Sequence, residues 1–215
     1  MHKGESDLAP VKETKRRGRP AKAAALRSDQ ILPAALAAFA HHGFEGANLR
    51  QIAVEAGIDV SLIAHRYGSK LELWKAVVDD LAARFLRELP EIAEHGPALH
   101  NVMEQLIDLV CDTPQLSMFL VKEVAQQGER FEYFYERLIR PVHDFFLPLI
   151  RTAPPEPMAE PIDPDFFFFS LTGSIAISVV MRPFIGRFSN AAQDESQFRR
   201  ELKRTLLQNK GLGLG

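Results

Sequence analysis

One cysteine, Cys111, stands in the 215 residues. That excludes an intrachain disulfide and any zinc site built from several cysteines. Long apolar runs are also scarce. The longest, from Phe166 to Met181, is interrupted by Ser170, Thr172, Gly173, Ser174 and Ser178. It reads as too short and too polar for a bilayer span, so no membrane partner is expected. The first residues carry charge where a secretory leader would need an apolar core, so export is not expected and a cytoplasmic location fits. Catalytic groupings are missing as well. His100 and His143 are isolated, no serine sits in a nucleophile-elbow context, and no glycine-rich phosphate loop is present. An enzyme is therefore disfavoured, and no cofactor is expected.

What is present is charge divided along the chain. Residues 1–75 hold 12 Lys+Arg against 8 Asp+Glu, a net of +4, and the remainder holds 14 against 20, a net of −6. The two sum to the −2 of the whole chain. A positive front and a negative back suit a protein that meets phosphate at one end only.

Residues 1–25 lack apolar periodicity and read as a disordered arm with a compact basic run, KRRGRPAK. Two readings stay open for it. It is a solvated tail, or it is a minor-groove arm, because arginine is electrostatically favoured beside a narrow A·T-rich groove. The GRP core also resembles an AT-hook. From Ser28, a candidate N-cap, a first helix carries Ile31, Leu32, Ala35, Leu36, Ala38 and Phe39 as an apolar stripe. His41, His42 and Gly43 end it, and Phe44 can fold back as a plug. The adjacent histidines lack acidic or cysteine companions at ligand spacing, so a charge-compatible helix end is favoured over a metal site.

The stretch NLRQIAVEAGIDVSLIAHRYGSKLELW, residues 48–74, carries most of the information. Asn48 is an N-cap candidate, and Leu49, Ile52, Ala53 and Ala56 follow at helical spacing. Gly57 stands where the chain must leave the helix with positive φ. Asp59 or Ser61 can cap the next segment, about Val60 to Tyr67. After Gly68, Ser69 caps a third helix bearing Leu71, Leu73, Trp74, Val77 and Val78. Helix, glycine turn, short helix is the helix-turn-helix arrangement, whose second helix enters the major groove.

The pieces IA-x-x-AGI, a short second helix, and an aromatic followed by GSK-x-x-L, in register behind FAHHGFEGA, resemble the amino-terminal signature of TetR-type transcriptional regulators. The spacing puts Ser61, Leu62, His65 and Arg66 towards the groove, with Arg66 suited to guanine and Leu62 to a thymine methyl. Asn48, Arg50 and Lys70 sit at helix starts, where phosphate is contacted. The resemblance implies the same positions. It also exposes a departure. Members commonly carry a tyrosine where this chain has Ala64, and a phenylalanine where it has Tyr67, so one phosphate-contacting hydroxyl is lost and another gained three residues on.

Behind the motif the spacing predicts a long helix from Ser69 to about Glu88, stopped by Leu89-Pro90. The EIAEHGPALH stretch then connects to a helix over 98–111. Pro114 opens a segment that ends at Gly128. An aromatic-rich helix follows from Glu129 to about Arg151, kinked or broken by Pro141 and ended by Pro148. After a proline-rich loop come a helix over 165–181 and a last one from about Asp194 to Gln208, before a GLGLG tail. No strand pattern is convincing.

The expected fold is all-α: a basic arm (1–25), a three-helix DNA-binding domain (26–86, motif about 48–67), and a helical effector-binding and dimerisation domain (87–210). The last role is implied by the resemblance. Phe131, Phe134, Phe145, Phe146, Met103 and Met118 either line an apolar pocket, with Arg140 or His143 as polar anchor, or form a packed core; the aromatic stripe favours core. The helix over 165–181, apolar beside small residues, suits a partner helix and would join the last helix in a four-helix dimer interface, or is buried within the chain. The expected partners are a double-stranded, palindromic DNA operator, a second copy of the chain, and an unidentified small-molecule effector. The expected function is a dimeric, ligand-responsive repressor, against the alternative of an architectural DNA-binding protein that uses the basic arm. A redox role for Cys111 is weaker, since it lies in an apolar helical run.

Overall fold

The computed structural model describes residues 30–94, 98–152 and 162–207. The basic arm, the Ser28 cap, the Gly96-Pro97 connection, most of the proline-rich loop and the GLGLG tail lie outside the described residues. Within them the chain is helical, without a strand.

Three short helices form the amino-terminal head. Helix α1 (Ile31–Gly46) buries Ile31, Ala35, Leu36, Ala38, Phe39 and Ala40. Its regular path breaks at Gly43, which adopts φ 70°, a conformation open to glycine at no steric cost. Phe44 turns back from the break and stacks on Phe39, 6.0 Å between centroids, so the expected plug is in place. Helix α2 (Leu49–Glu55) starts where Asn48 accepts a hydrogen bond from the Arg50 amide at 2.8 Å. Gly57 takes φ 65° and releases the chain into α3 (Val60–Tyr67). Of the two candidate caps for α3, Asp59 serves: it accepts from the Ser61 amide at 2.8 Å.

Helix α4 (Lys70–Glu94) links head to body. It is longer than the sequence suggested and runs straight past Pro90. An interior proline loses one hydrogen bond and crowds the carbonyl four residues back. The helix holds because Leu81, Phe85 and Leu89, one turn apart, are all buried and fix its axis up to the proline.

The body consists of α5 (Leu99–Asp112), α6 (Pro114–Glu123), α7 (Glu129–Phe134), α8 (Arg140–Thr152), α9 (Pro164–Ile185) and α10 (Glu195–Leu207). Between α7 and α8 lies a π-helical turn, Tyr135–Ile139, in which the Arg140 amide bonds the Tyr135 carbonyl. This is how the chain accommodates Pro141. The proline ring would press on the Arg137 carbonyl in a regular helix, and widening the turn relieves that contact. Pro148 does not end α8, which continues to Thr152.

Helix α9 also exceeds the expected range, extending over 22 residues. Two of its hydroxyls are satisfied within the helix: Thr172 and Ser174 donate to the carbonyls of Phe168 and Ser170, each at 2.7 Å. By length and composition α9 would be enough to cross a bilayer, which corrects the reading of this run as too short. A mostly buried core helix passes the same test, but only 28% of the apolar window of α9 is buried. Here α9 packs against α5, α6, α8 and α10 and buries Phe168, Leu171, Ile175, Ala176 and Val179.

Candidate nucleic-acid interface and effector cavity

Helix α3 is held by one fully buried side chain, Ile63, which docks it in the head. Ser61, His65 and Arg66 are exposed, and Leu62 and Tyr67 are half-buried. Positions 61 and 65 lie one helical turn apart, on the side opposite Ile63, so the outer face of α3 is polar, with the exposed Arg66 at its flank. The Ser61 hydroxyl donates to Asp59, and these bonds hold the Asp59 carboxyl below its usual value. The Arg66 guanidinium lies 5.5 Å from the centroid of the Tyr67 ring. Burial pushes the Tyr67 hydroxyl up, which keeps it a neutral donor.

Asn48 and Arg50 are exposed at the start of α2, although the Asn48 side-chain oxygen is occupied by capping. Lys70 is placed differently from the rest. Its ammonium turns back and donates to the carbonyls of Glu45 and Ala47, both at 3.2 Å, and lies 4.8 Å from the Phe44 ring centroid. The side chain therefore closes the end of α1, where unpaired carbonyls need donors. Spacing alone did not reveal this, because those carbonyls come from a segment more than twenty residues earlier.

His41 and His42 stand exposed at the break in α1. Among the described residues no group of three or more His, Cys, Asp or Glu side chains is placed to hold a metal ion.

In the body, a cavity of about 680 Å³ opens between α4, α5, α6, α7, the π turn, α8 and α9. Leu116, Leu120 and Val121 of α6 form one wall, and Phe168, Phe169, Gly173 and Ala176 of α9 face them. The π turn contributes Tyr135, Leu138 and Ile139. Of the six residues weighed earlier as pocket or core, only Phe131 and Phe134 line this space. Met103 and Phe146 are fully buried core. Arg140 and His143 do not reach the cavity. His143 instead bonds Asp165 at 2.7 Å and stacks on Phe169, tying α8 to α9.

Helix α6 touches both cavity and head. It packs against α1, and Lys122 donates to the His41 carbonyl at 2.9 Å. Just beyond, Glu123 is 2% exposed and lies 3.5 Å from Arg130. Arg130 reaches Glu45 at 3.2 Å. An aromatic chain runs alongside: Trp74 of α4 meets Phe119 at 6.1 Å, and Phe119 meets the cavity residue Phe134 at 5.9 Å.

Residues 31–77 match the family model described as bacterial regulatory proteins, tetR family. The chain is similar to the HTH-type transcriptional regulatory protein RaaS of Mycobacterium tuberculosis, 29% identical over 132 residues, covering 61% of each chain. It is similar to the HTH-type transcriptional dual regulator CecR of Shigella flexneri, 28% identical over 138 residues, covering 56% of this chain and 61% of CecR. In both cases the likeness spans less than two thirds of the relative. The solved structure of the transcriptional regulator FadR from Bacillus subtilis, in complex with stearoyl-CoA, superposes with a TM-score of 0.61 at 14% identity, covering 81% of this chain and 97% of that one. That degree of identity shows a shared fold. The motif, the head geometry and the family-model match identify residues 31–77 as a TetR-type helix-turn-helix head, and the relatives that the chain resembles are HTH-type transcriptional regulators.

Proposed function

We propose that the chain is a dimeric repressor that binds a palindromic operator through α3 and releases it when a small molecule fills the body cavity. The observation that carries this reading is that α6 walls the cavity on one side and bonds the end of α1 on the other. Occupancy of the cavity would thus bear on the seat of the head. A ligand shifts such an equilibrium only by its difference in affinity between the two arrangements.

The reading domain is taken as residues 26–86 and the body as 87–210. Ser61, Leu62, His65 and Arg66 would meet base edges, and Asn48, Arg50, Tyr67 and the backbone at Lys70 would meet phosphate. Two-fold dimers present recognition helices about 34 Å apart, one turn of DNA. The exposed aromatics Phe166 and Phe184 of α9 and Phe188 just beyond it, 76%, 69% and 93% exposed, support α9 and the turn after it as the dimer face. FadR, whose fold this chain shares, was solved with stearoyl-CoA, which supports a ligand role for a body of this shape.

Binding-site selection from genomic DNA with the purified chain, near physiological salt, tests the proposal. A short palindrome is expected, with affinity falling at least tenfold in Arg66→Ala and in a Phe184→Glu/Phe188→Glu variant that no longer dimerises. Broad binding without a shared motif, steeply weakened by salt, would favour the architectural alternative and the basic arm. Arg66→Ala is preferable to a Lys70 substitution, because the Lys70 side chain also closes α1.

A further inference from the structure

We propose that the cavity takes an uncharged, largely hydrocarbon or aryl molecule and selects against carboxylates, phosphates and sugars. This rests on the reading of the cavity as an effector site and names the class of effector.

The argument begins with what the wall lacks. Among the described residues no charged side chain lines the cavity. Its polar groups are confined to Tyr135 and Thr172. The Thr172 hydrogen is already given to the Phe168 carbonyl at 2.7 Å, so this hydroxyl offers a ligand only acceptor capacity. A carboxylate or phosphate carried inside would lose its hydration, and the nearby cation Arg140, 5.3 Å from the centroid of the Tyr135 ring, is outside the lining and already paired with Glu136, so the cost is poorly compensated. A sugar would bring many hydroxyls to a wall with two partners for them. A hydrocarbon loses nothing on entering and removes apolar surface from water.

Size and shape agree. About 680 Å³ lies within the range of sites for drug-sized molecules and far above the space of a packing defect. The wall is irregular where the π turn aims Tyr135, Leu138 and Ile139 inward, a feature forced by Pro141. Opposite them Gly173 has no side chain, and a Cβ built there would meet nothing within 4 Å. Space at this point is therefore left open by the sequence itself.

The test uses the full chain without DNA. The neutral fluorophore N-phenyl-1-naphthylamine is bound, then displaced by straight-chain 1-alkanols from octanol to tetradecanol and by carboxylates of equal length. Each added methylene is expected to tighten alkanol binding roughly fourfold until the cavity is full. Each alkanol is expected to bind at least tenfold tighter than the carboxylate of the same length. Gly173→Phe should weaken the longer alkanols at least tenfold without lowering the melting temperature, since a Cβ at this position meets nothing within 4 Å and the ring can extend into the cavity. Thr172→Val should leave alkanol affinity within about twofold. Equal or tighter binding of carboxylates, no dependence on length, or full affinity in Gly173→Phe would overturn the proposal. Operator release is measured separately. An alkanol that binds as described but releases no DNA would count against ligand-responsive regulation and leave the ligand class standing.

Discussion

The guanidinium of Arg130 lies 4.1 Å from the centroid of the Phe44 ring, so a residue of α7 rests on the plug that ends α1. Arg130 also lies between Glu45 of the head and the buried Glu123 at the end of α6. A cation over an aromatic face contributes about 1–2 kcal/mol when partly desolvated. Arg130 therefore makes a specific bond between the body and the end of α1 in the head.

Arg130→Met keeps the aliphatic stem and removes the charge. It is expected to lower unfolding stability by at least about 1–2 kcal/mol, because it removes the cation–π contact and leaves the buried Glu123 carboxyl without its counter-charge. It should also raise the alkanol concentration needed to release operator, while alkanol affinity measured without DNA stays unchanged. Unchanged release with reduced stability would reduce the contact to a structural one.

Glu123 gives a pH signature. Burial pushes its carboxyl above the usual range, while the Arg130 charge and the Trp74 side chain pull the other way. The folded chain then holds this proton more tightly than the unfolded chain does. The contribution of the group is thus fully present at low pH and is lost as pH rises through the raised folded value. Glu123→Gln, which cannot ionise, should gain stability relative to the parent as pH climbs from about 4 to about 8, and should lose that advantage below the usual carboxylate range. Melting temperatures of both chains across that interval check the sign, and parallel curves would refute it.

Cys111 should be inert. It is 4% exposed, and burial pushes its thiol up to about 11, outweighing the nearby Arg199 charge. At pH 8 only about one molecule in a thousand would carry the reactive thiolate. Labelling by iodoacetamide is expected to be at least a hundredfold slower in the folded chain than in denaturant, and operator binding should survive peroxide treatment. Rapid labelling of the native chain would restore the redox alternative.

The head was legible in the sequence because its determinants are local. Asn48, Asp59, Gly57 and Gly68 each act on amides or dihedral angles within a few residues, and each does what its position suggested. The helix ends of the body were less legible. Pro90 and Pro148 read as stops, and both lie inside helices. Their local cost is overridden by buried neighbours such as Leu89 and Phe146, which are chosen by tertiary packing. Lys70 and the cavity share that difficulty. The Lys70 acceptors lie on another helix, and the cavity wall draws on residues from Phe85 to Ile177, so neither has a spacing to be read. Phe131 and Phe145 illustrate the limit: both fit the same aromatic stripe, and only Phe131 faces the cavity.

Ile63 anchors α3 almost alone. Exchanging exposed residues away from such anchors usually changes stability by no more than about 0.5 kcal/mol. The outward face of α3 can therefore drift by mutation without endangering folding, while the cavity, which shares no lining residue with α3, is inherited intact. On the proposed function, descendants of one ancestral chain would answer to the same chemical signal at different promoters, or keep a promoter and acquire a new signal. The two halves of its vocabulary evolve independently.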